Sequence, residues 1–233
     1  MLTVHGLTKH YLRHGDRRVL FSDLSFTLAR RGRLAVLGRN GQGKSTLLKI
    51  LGGVLWPTAG NVRWDMSASW PLGFNGAFQG GMTGMDNIRF IARIYDRPAA
   101  ALIDRVEDFA ELGDALTMPV KYYSSGMRAR LAFGLSLAIE FDCYLIDEVI
   151  SVGDALFRRR CEEELFERRG DRAFVIASHD LHFIESTCAD AIIIERGRAK
   201  YFPDIAVATE IYAALCEDER RIEEMAREEP AHG

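Results

Sequence analysis

Compact apolar runs recur along the chain, separated by turns or by helix-like stretches. Residues 2–37 predict short strands with turns near 14–16 and 31–32, ending in the apolar run 34–37. Uninterrupted apolar runs are typical of parallel strands that are buried on both faces. Three further runs predict such strands: 144–146, 173–177 and 191–194.

Helical patterns fill much of the remaining chain. Residues 83–140 are predicted to be mainly helical, because apolar positions recur at helical spacing, for example over 87–95. A further helix is predicted over 155–169, with Asp154 as its N-cap and Gly170 just past its end. Strands alternating with helices, together with a helical insertion, indicate an α/β fold.

Composition narrows the class of protein. The 233 residues suffice for one sizeable domain, and a hydrophobic content of 48% with 27% charged residues is ordinary for a soluble globular protein. The net charge of −3 offers no basic excess to neutralise phosphates, which argues against a nucleic-acid partner. Part of the negative charge lies in the segment 217–229, which we expect to be a solvated helix or, less favoured, a docking element.

Neither the cysteines nor the N-terminus indicates a secreted protein. The four cysteines form no CxxC pair and no zinc-ligand spacing, so they are expected to be reduced thiols in a cytosolic protein. The first residues do not resemble a signal peptide. No apolar run approaches the roughly 18 residues of a membrane span. If the protein works at a membrane, we expect another subunit to supply the membrane part.

A glycine-rich segment after the strand 34–37 fits the pattern G-x-x-x-x-G-K-S/T. Glycines allow the backbone to turn so that successive N–H groups point at phosphate oxygens, and the following helix adds its positive N-terminal dipole. Lys44 would bring positive charge to the β- and γ-phosphates of ATP, and the Ser45 hydroxyl would ligate Mg²⁺. The predicted nucleotide-binding residues are Gly38, Arg39, Asn40, Gly41, Gln42, Gly43, Lys44, Ser45 and Thr46.

Polar side chains follow the next two predicted strands. Asp147 and Glu148 end the run that contains 144–146, at the strand end where α/β sheets bind ligands. Asp147 would hold Mg²⁺ through water and Glu148 would polarise the attacking water, although a solvated loop is the alternative. His179 follows the strand 173–177, where it would sense the γ-phosphate. It could instead be structural, or pair with His182 on a metal, although the HExxH pattern is absent.

The order of these motifs resembles the ABC ATPase family over nearly the whole chain. The segment 123–128 lies where that family carries its signature, upstream of Asp147 and at the start of a helix-like run. The resemblance implies a P-loop fold with a mixed sheet core, an N-terminal antiparallel β subdomain and an inserted helical subdomain. It also implies a homodimer in which Ser124, Ser125 and Gly126 of one subunit cap the ATP of the other. Ser125 and Met127 depart from the common signature, in place of a glycine and a glutamine.

Further positions match the family one by one. Tyr11 stands where an aromatic ring stacks on adenine, Asp154 lies in a loop that crosses the dimer interface, and His179 matches the switch histidine. The glutamine loop departs from the usual pattern. Either Asn75 or Gln79 would take the place of the glutamine that reaches the metal.

The variant motifs at 83–87, 123–127 and 152–154 resemble the subfamily that exports bacterial surface polysaccharides. The segments 69–73 and 76–80 are most similar to capsular polysaccharide exporters. This implies an ATPase on the cytoplasmic face of the inner membrane that serves two copies of an integral membrane permease. Periplasmic and outer-membrane export components would act downstream on a lipid-linked polysaccharide.

The predicted domain organisation follows the same resemblance. An ATPase domain spans residues 1–205, with the helical subdomain inserted at about 83–140, and a short acidic helical tail spans 206–233. Three alternative functions stay open at this point. They are an O-antigen or teichoic-acid exporter, a soluble ABC ATPase, and a nucleotide-binding regulator that does not turn over ATP.

Overall fold

The computed structural model describes residues 1–13, 16–72, 78–147 and 155–228. Its central sheet has six strands in the order β5-β6-β7-β3-β8-β9. The first five strands run parallel, and β9 is antiparallel to β8, so the predicted α/β fold with a mixed sheet is confirmed. The strands are β3 (Arg33–Leu37), β5 (Ala68–Leu72), β6 (Cys143–Asp147), β7 (Ala173–Ala177), β8 (Asp190–Glu195) and β9 (Arg198–Phe202).

Side chains of β3 alternate between two cores, one on each face of the central sheet. Leu34 and Val36 belong to the core that contains Leu47 of helix α1 (Lys44–Leu51). Ala35 and Leu37 belong to the other core. Because both faces are covered, an uninterrupted apolar run can be fully buried here, which is why the sequence pattern predicted this strand.

A second, antiparallel sheet contains the N-terminal strands β1 (Leu2–Arg13), β2 (Asp16–Leu28) and β4 (Ala59–Trp64), in the order β2-β1-β4. The prediction of short strands was wrong, because β1 and β2 span 12 and 13 residues. Register shifts between β1 and β2 break the regular alternation of apolar and polar positions, so the length of these strands is hidden in the sequence.

The predicted helical insertion contains α2 (Gly84–Ile94), α3 (Ala99–Ala110) and α4 (Ser125–Ile139). Two 3₁₀ turns, Gly113–Thr117 and Val120–Tyr122, connect α3 to α4. Helix α4 is buried along most of its length, which explains why its apolar residues show no single face.

The helix predicted over 155–169 is present in a modified form. It starts as α5 (Ala155–Glu162) and continues as a π-helical turn over Glu163–Glu167, while the predicted N-cap Asp154 lies outside the described residues. In that turn the centroid of the Phe166 ring lies 5.2 Å from the Phe174 ring centroid and 5.3 Å from the Phe183 ring centroid.

Two more helices complete the fold, α6 (Leu181–Thr187) and α7 (Ile205–Glu228). The acidic tail is therefore helical up to Glu228. Its first part is not fully solvated, because Ala208 and Tyr212 are buried against the core. Among the described residues, no helix has the length and apolar character that crossing a membrane requires.

Candidate nucleotide-binding site

The glycine-rich loop over residues 38–43, the phosphate loop, lies at the carboxyl end of β3. In the sheet, β3 lies between β7 and β8. A Cβ atom at Gly38 would stand 2.6 Å from the backbone oxygen of Ile194, so the close approach of loop and β8 requires glycine. Gly43 is the N-cap of α1 with a φ of 119°, a conformation that favours glycine. The sequence therefore builds a loop whose backbone turns directly into a helix N-terminus, an arrangement suited to phosphate.

Lys44 directs its charge back onto this loop. The residue is only 7% exposed, and Nζ donates hydrogen bonds to the backbone oxygens of Gly38 at 2.6 Å and Arg39 at 3.4 Å. These bonds hold the ammonium group inside the curve of the loop. A positive charge is thus placed among backbone N–H groups, where a phosphate would meet both.

Ser45 and Asp147 are joined although 102 positions separate them. Ser45 Oγ donates a hydrogen bond to Asp147 Oδ1 at 3.0 Å. The sheet explains this contact, because β3 and β6 both pair with β7, and Val36 and Asp147 are each aligned with Ala177. A hydroxyl and a carboxylate are oxygen ligands of the type that Mg²⁺ takes, so the donor set fits a Mg²⁺–nucleotide complex.

His179 follows β7, the strand that lies between β3 and β6. The His179 side chain is exposed. The turn that carries it is held by two hydrogen bonds of the neighbouring residue Asp180. Asp180 donates from its N–H to Ser178 Oγ at 3.1 Å, and its Oδ1 accepts from the N–H of Phe183 at 3.0 Å. The predicted switch histidine thus follows a strand adjacent to the phosphate loop. Within the described ranges, no three His, Cys, Asp or Glu side chains are grouped to hold a metal.

Tyr11 lies on β1, and the neighbouring strand β2 connects it to the phosphate loop. It is 42% exposed, and Lys9 Nζ stands 4.9 Å from the centroid of its ring. Its register partner on β2 is Arg18, whose Nη2 donates to the backbone oxygen of Gly41 at 3.1 Å. An exposed aromatic ring one strand away from the phosphate loop is available for a nucleotide base.

The three predicted signature residues lie at the start of α4. Ser124 is the N-cap, and its Oγ accepts a hydrogen bond from the N–H of Met127 at 3.1 Å. Ser125 is exposed, and a Cβ at Gly126 would have only Ser124 Oγ within 4 Å, at 3.8 Å. The hydrogen bond of Ser124 is local, and the first turn of α4 presents a surface to solvent.

Two residues that sequence reasoning missed, Asn87 and Arg196, form hydrogen bonds with candidate site residues. The side chain of Asn87, which is 1% exposed, bonds to the backbone of Gln79, while the alternative residue Asn75 lies outside the described residues. Gln42 Oε1 accepts a hydrogen bond from the N–H of Arg196 in the β8–β9 turn at 3.1 Å. Asn87 lies in the motif 83–87, which contributed to the sequence-based prediction only through its resemblance to polysaccharide exporters. Nothing local in the sequence signals the contact between Gln42 and Arg196.

Not every predicted residue can be placed. The proposed catalytic base Glu148 and the interface residue Asp154 both lie outside the described residues. Asn40 is exposed, and Thr46 is half-buried in the first turn of α1. The structure therefore gathers the phosphate loop, Ser45, Asp147 and the strand end before His179.

A P-loop nucleotide-binding fold is defined by three features: a glycine-rich loop between a parallel strand and a helix, a lysine at the start of that helix, and a serine bonded to a strand-end aspartate. The family model described as ABC transporter matches residues 21–151, and the chain belongs to this family. It is an ATP-binding protein of the ABC ATPase type, as the sequence predicted.

Named relatives and solved structures agree with this assignment. The chain is 49% identical over 215 residues to the capsule polysaccharide export ATP-binding protein CtrD of Neisseria meningitidis serogroup B, covering 92% of this chain and 100% of that protein. It is 47% identical to the ATP-binding protein BexA of Haemophilus influenzae, covering 91% and 98%. A dimeric ATP-binding cassette in a post-hydrolysis state with ADP and Pi shares the fold, with a TM-score of 0.69, 19% identity and coverage of 86% and 98%.

Proposed function

We propose that this chain is the ATPase subunit of an exporter that moves capsular polysaccharide across a bacterial inner membrane. The single observation that carries the proposal is the 49% identity over 215 residues with a capsule polysaccharide export ATP-binding protein. The variant signature over 123–127 and the motif over 83–87 support the same subfamily. An O-antigen or teichoic-acid cargo is the alternative that the experiment below distinguishes.

In the proposed mechanism, the chain's own groups bind and orient the phosphates of ATP. Backbone N–H groups of the loop and the α1 N-terminus would donate hydrogen bonds to the oxygens of the β- and γ-phosphates, with Lys44 between them. Ser45 and Asp147 would hold Mg²⁺, which when bound neutralises charge that develops on the phosphate oxygens. Glu148 would orient and polarise the attacking water, and His179 would contact the γ-phosphate from the end of β7.

Dimer formation would complete each site. The exposed first turn of α4, with Ser124, Ser125 and Gly126, suits a role in capping the phosphates held by a second copy. Asp154 would lie in the loop that crosses this interface. Closing of the homodimer around ATP and reopening after hydrolysis would supply the motion used for export.

The membrane partner would bind on the helical insertion. Phe90 and Ile94 are 45% and 58% exposed on α2, and Tyr122 is 64% exposed on the connection to α4. Exposed apolar side chains grouped on one subdomain are a feature of interaction surfaces. Gln79, just before α2, would move together with that partner. We place the ATPase on the cytoplasmic face of the inner membrane, with two permease copies and with periplasmic and outer-membrane components downstream.

The test replaces Lys44 with Ala in the native gene and compares surface capsule with intracellular polysaccharide. Loss of surface capsule while a lipid-linked glycan accumulates inside is the expected result, because the Lys44 ammonium group contacts the phosphate loop. Lys200→Ala, on the edge strand β9, removes the same charge elsewhere and should leave export intact. Unchanged capsule, with the Lys44 variant present and unable to hydrolyse ATP, would overturn the capsule assignment. The O-antigen and teichoic-acid levels of the same strain would then be measured.

A further inference from the structure

Strand β2 runs alongside the phosphate loop and contacts it at two points. A Cβ at Gly43 would stand 3.3 Å from Leu20 Cβ, which shows how closely the strand packs on the loop. Two residues earlier, Arg18 Nη2 donates to the backbone oxygen of Gly41 at 3.1 Å. Leu20 and Arg18 therefore both face the loop, although a register shift between Val19 and Phe21 interrupts the regular alternation of strand faces there.

The register of the N-terminal sheet places Arg18 opposite Tyr11. The two residues are direct partners in the antiparallel pairing of β1 and β2. Side chains of direct partners lie on the same face with Cβ atoms roughly 5 Å apart. Arg18 therefore stands between the ring proposed to stack on the base and the loop proposed to bind the β- and γ-phosphates. In a nucleotide, the ribose and the α-phosphate join these two parts.

The chemistry of Arg18 suits a phosphate. A guanidinium group carries a permanent positive charge and five N–H donors in a planar fork. The bond to the Gly41 oxygen uses one of those donors, and the residue is exposed on the nucleotide side of the sheet. Among the described residues, Gly41 is the hydrogen-bond partner of the Arg18 side chain, so the rest of the fork can bind an anion without a large rearrangement.

We propose that Arg18 is a nucleotide-binding residue that pairs with the α-phosphate of ATP while its bond to Gly41 holds the guanidinium in position. The inference rests on the proposed places of Tyr11 and of the phosphate loop. It differs from a purely structural role, in which Arg18 would only tether the loop. If Arg18 only tethered the loop, its loss would change the affinity for every ligand by altering the geometry of the loop. A phosphate contact adds a charge interaction, which salt weakens by screening.

The test measures dissociation constants of ATP and ADP, with Mg²⁺, at several salt concentrations. We expect Arg18→Gln to weaken both nucleotides by a similar factor, on the order of 10-fold, because both contain the α-phosphate. We also expect the salt dependence of binding to become shallower. Arg18→Lys, which keeps the charge but not the fork, should recover part of the affinity. Arg17→Gln is the matched control, because its side chain points to the other face of β2.

The outcomes separate the inference from the site on which it rests. Unchanged affinity in Arg18→Gln, or weaker affinity with an unchanged salt dependence, would overturn the phosphate contact and leave only the tether. If Tyr11→Ala binds ATP as tightly as the wild type while Arg18→Gln weakens both nucleotides, the phosphate contact stands and the proposed place of the base is wrong. Wild-type protein that binds neither nucleotide would refute the proposed site itself.

Discussion

The side-chain amide of Asn87 holds the backbone of Gln79 at two points. Asn87 Oδ1 accepts from the N–H of Gln79 at 2.9 Å, and Asn87 Nδ2 donates to the oxygen of Gln79 at 3.2 Å. The same Nδ2 donates to the oxygen of Thr83 at 2.9 Å. One buried side chain on α2 thus fixes the position of the proposed glutamine-loop residue relative to the helical insertion.

We predict that Asn87→Ala lowers the free energy of unfolding by about 1–3 kcal/mol, because the buried Asn87 amide and its partly buried hydrogen bonds to the backbone of Gln79 and Thr83 are lost. Urea denaturation of the two proteins measures the difference. Asn61→Ala, at an exposed position of β4, should change stability by less than about 0.5 kcal/mol. Equal stability of the Asn87 variant and the wild type would mean that water or another group replaces these bonds at no cost.

Gly84 forms a second tight contact with Tyr123, the first residue of the signature segment 123–128. A Cβ at Gly84 would collide with Tyr123 Oη and stand 3.0 Å from Leu116 Cδ2. We expect Gly84→Ala to destabilise the protein by about 1–3 kcal/mol through overpacking. Tyr123 Oη also donates to the oxygen of Ala115 at 2.5 Å, so Tyr123→Phe alone should cost about 1 kcal/mol.

A double-mutant cycle tests whether this collision is the cause. Adding Tyr123→Phe to Gly84→Ala removes the colliding oxygen, so the double variant should be more stable than the sum of the two single changes implies. Thermal or urea unfolding of all four proteins gives the coupling. Strict additivity would show that the alanine is accommodated by a movement elsewhere, for example of Leu116.

Much of the fold follows from local patterns, and the exceptions have physical reasons. Four of the five parallel strands that the structure describes, all except β5, were predicted because they are buried on both faces, and the phosphate loop was predicted because its spacing is specific. The bond between Ser45 and Asp147 joins two motifs that the sequence places in one site. The contact between Gln42 and Arg196 spans 154 positions and has no local signal, because only the sheet order brings the β8–β9 turn to the loop.

Asp142 provides a test of pH dependence at the start of β6. Its Oδ2 accepts from the N–H of Ser67 at 2.9 Å and from the Ser67 hydroxyl at 3.0 Å. The Ser67 N–H is the main cause that lowers the pKa of Asp142, and the Ser67 hydroxyl, Arg30 and Arg172 lower it further. These contacts join the start of β6 to Ser67, immediately before β5, and so help to place the strand that ends in Asp147.

A lowered folded-state pKa stabilises the protein above the unfolded value of about 4, and the stabilisation is lost as the pH falls through the folded value. We therefore expect Asp142→Asn to be less stable than the wild type at pH 7, by about 1 kcal/mol for a partly exposed site. The difference should shrink below about pH 4. Urea denaturation of both proteins between pH 3 and pH 7 checks this, and a difference that is independent of pH would assign it to the neutral hydrogen bonds.

The last prediction concerns Glu148, which directly follows Asp147 in the chain. If Glu148 polarises the attacking water, Glu148→Gln should reduce ATP hydrolysis by ~10²–10⁴-fold, because the amide cannot accept the proton. ATP affinity should stay near the wild-type value, since Lys44 and Ser45 would still bind the phosphates. Phosphate release and equilibrium ATP binding, measured on the same preparation, separate these two effects. Glu107→Gln removes the same charge from the exposed face of α3 and should hydrolyse ATP normally. Near-wild-type hydrolysis by the Glu148 variant would assign the base to another residue, and His179, after the neighbouring strand β7, would be replaced next.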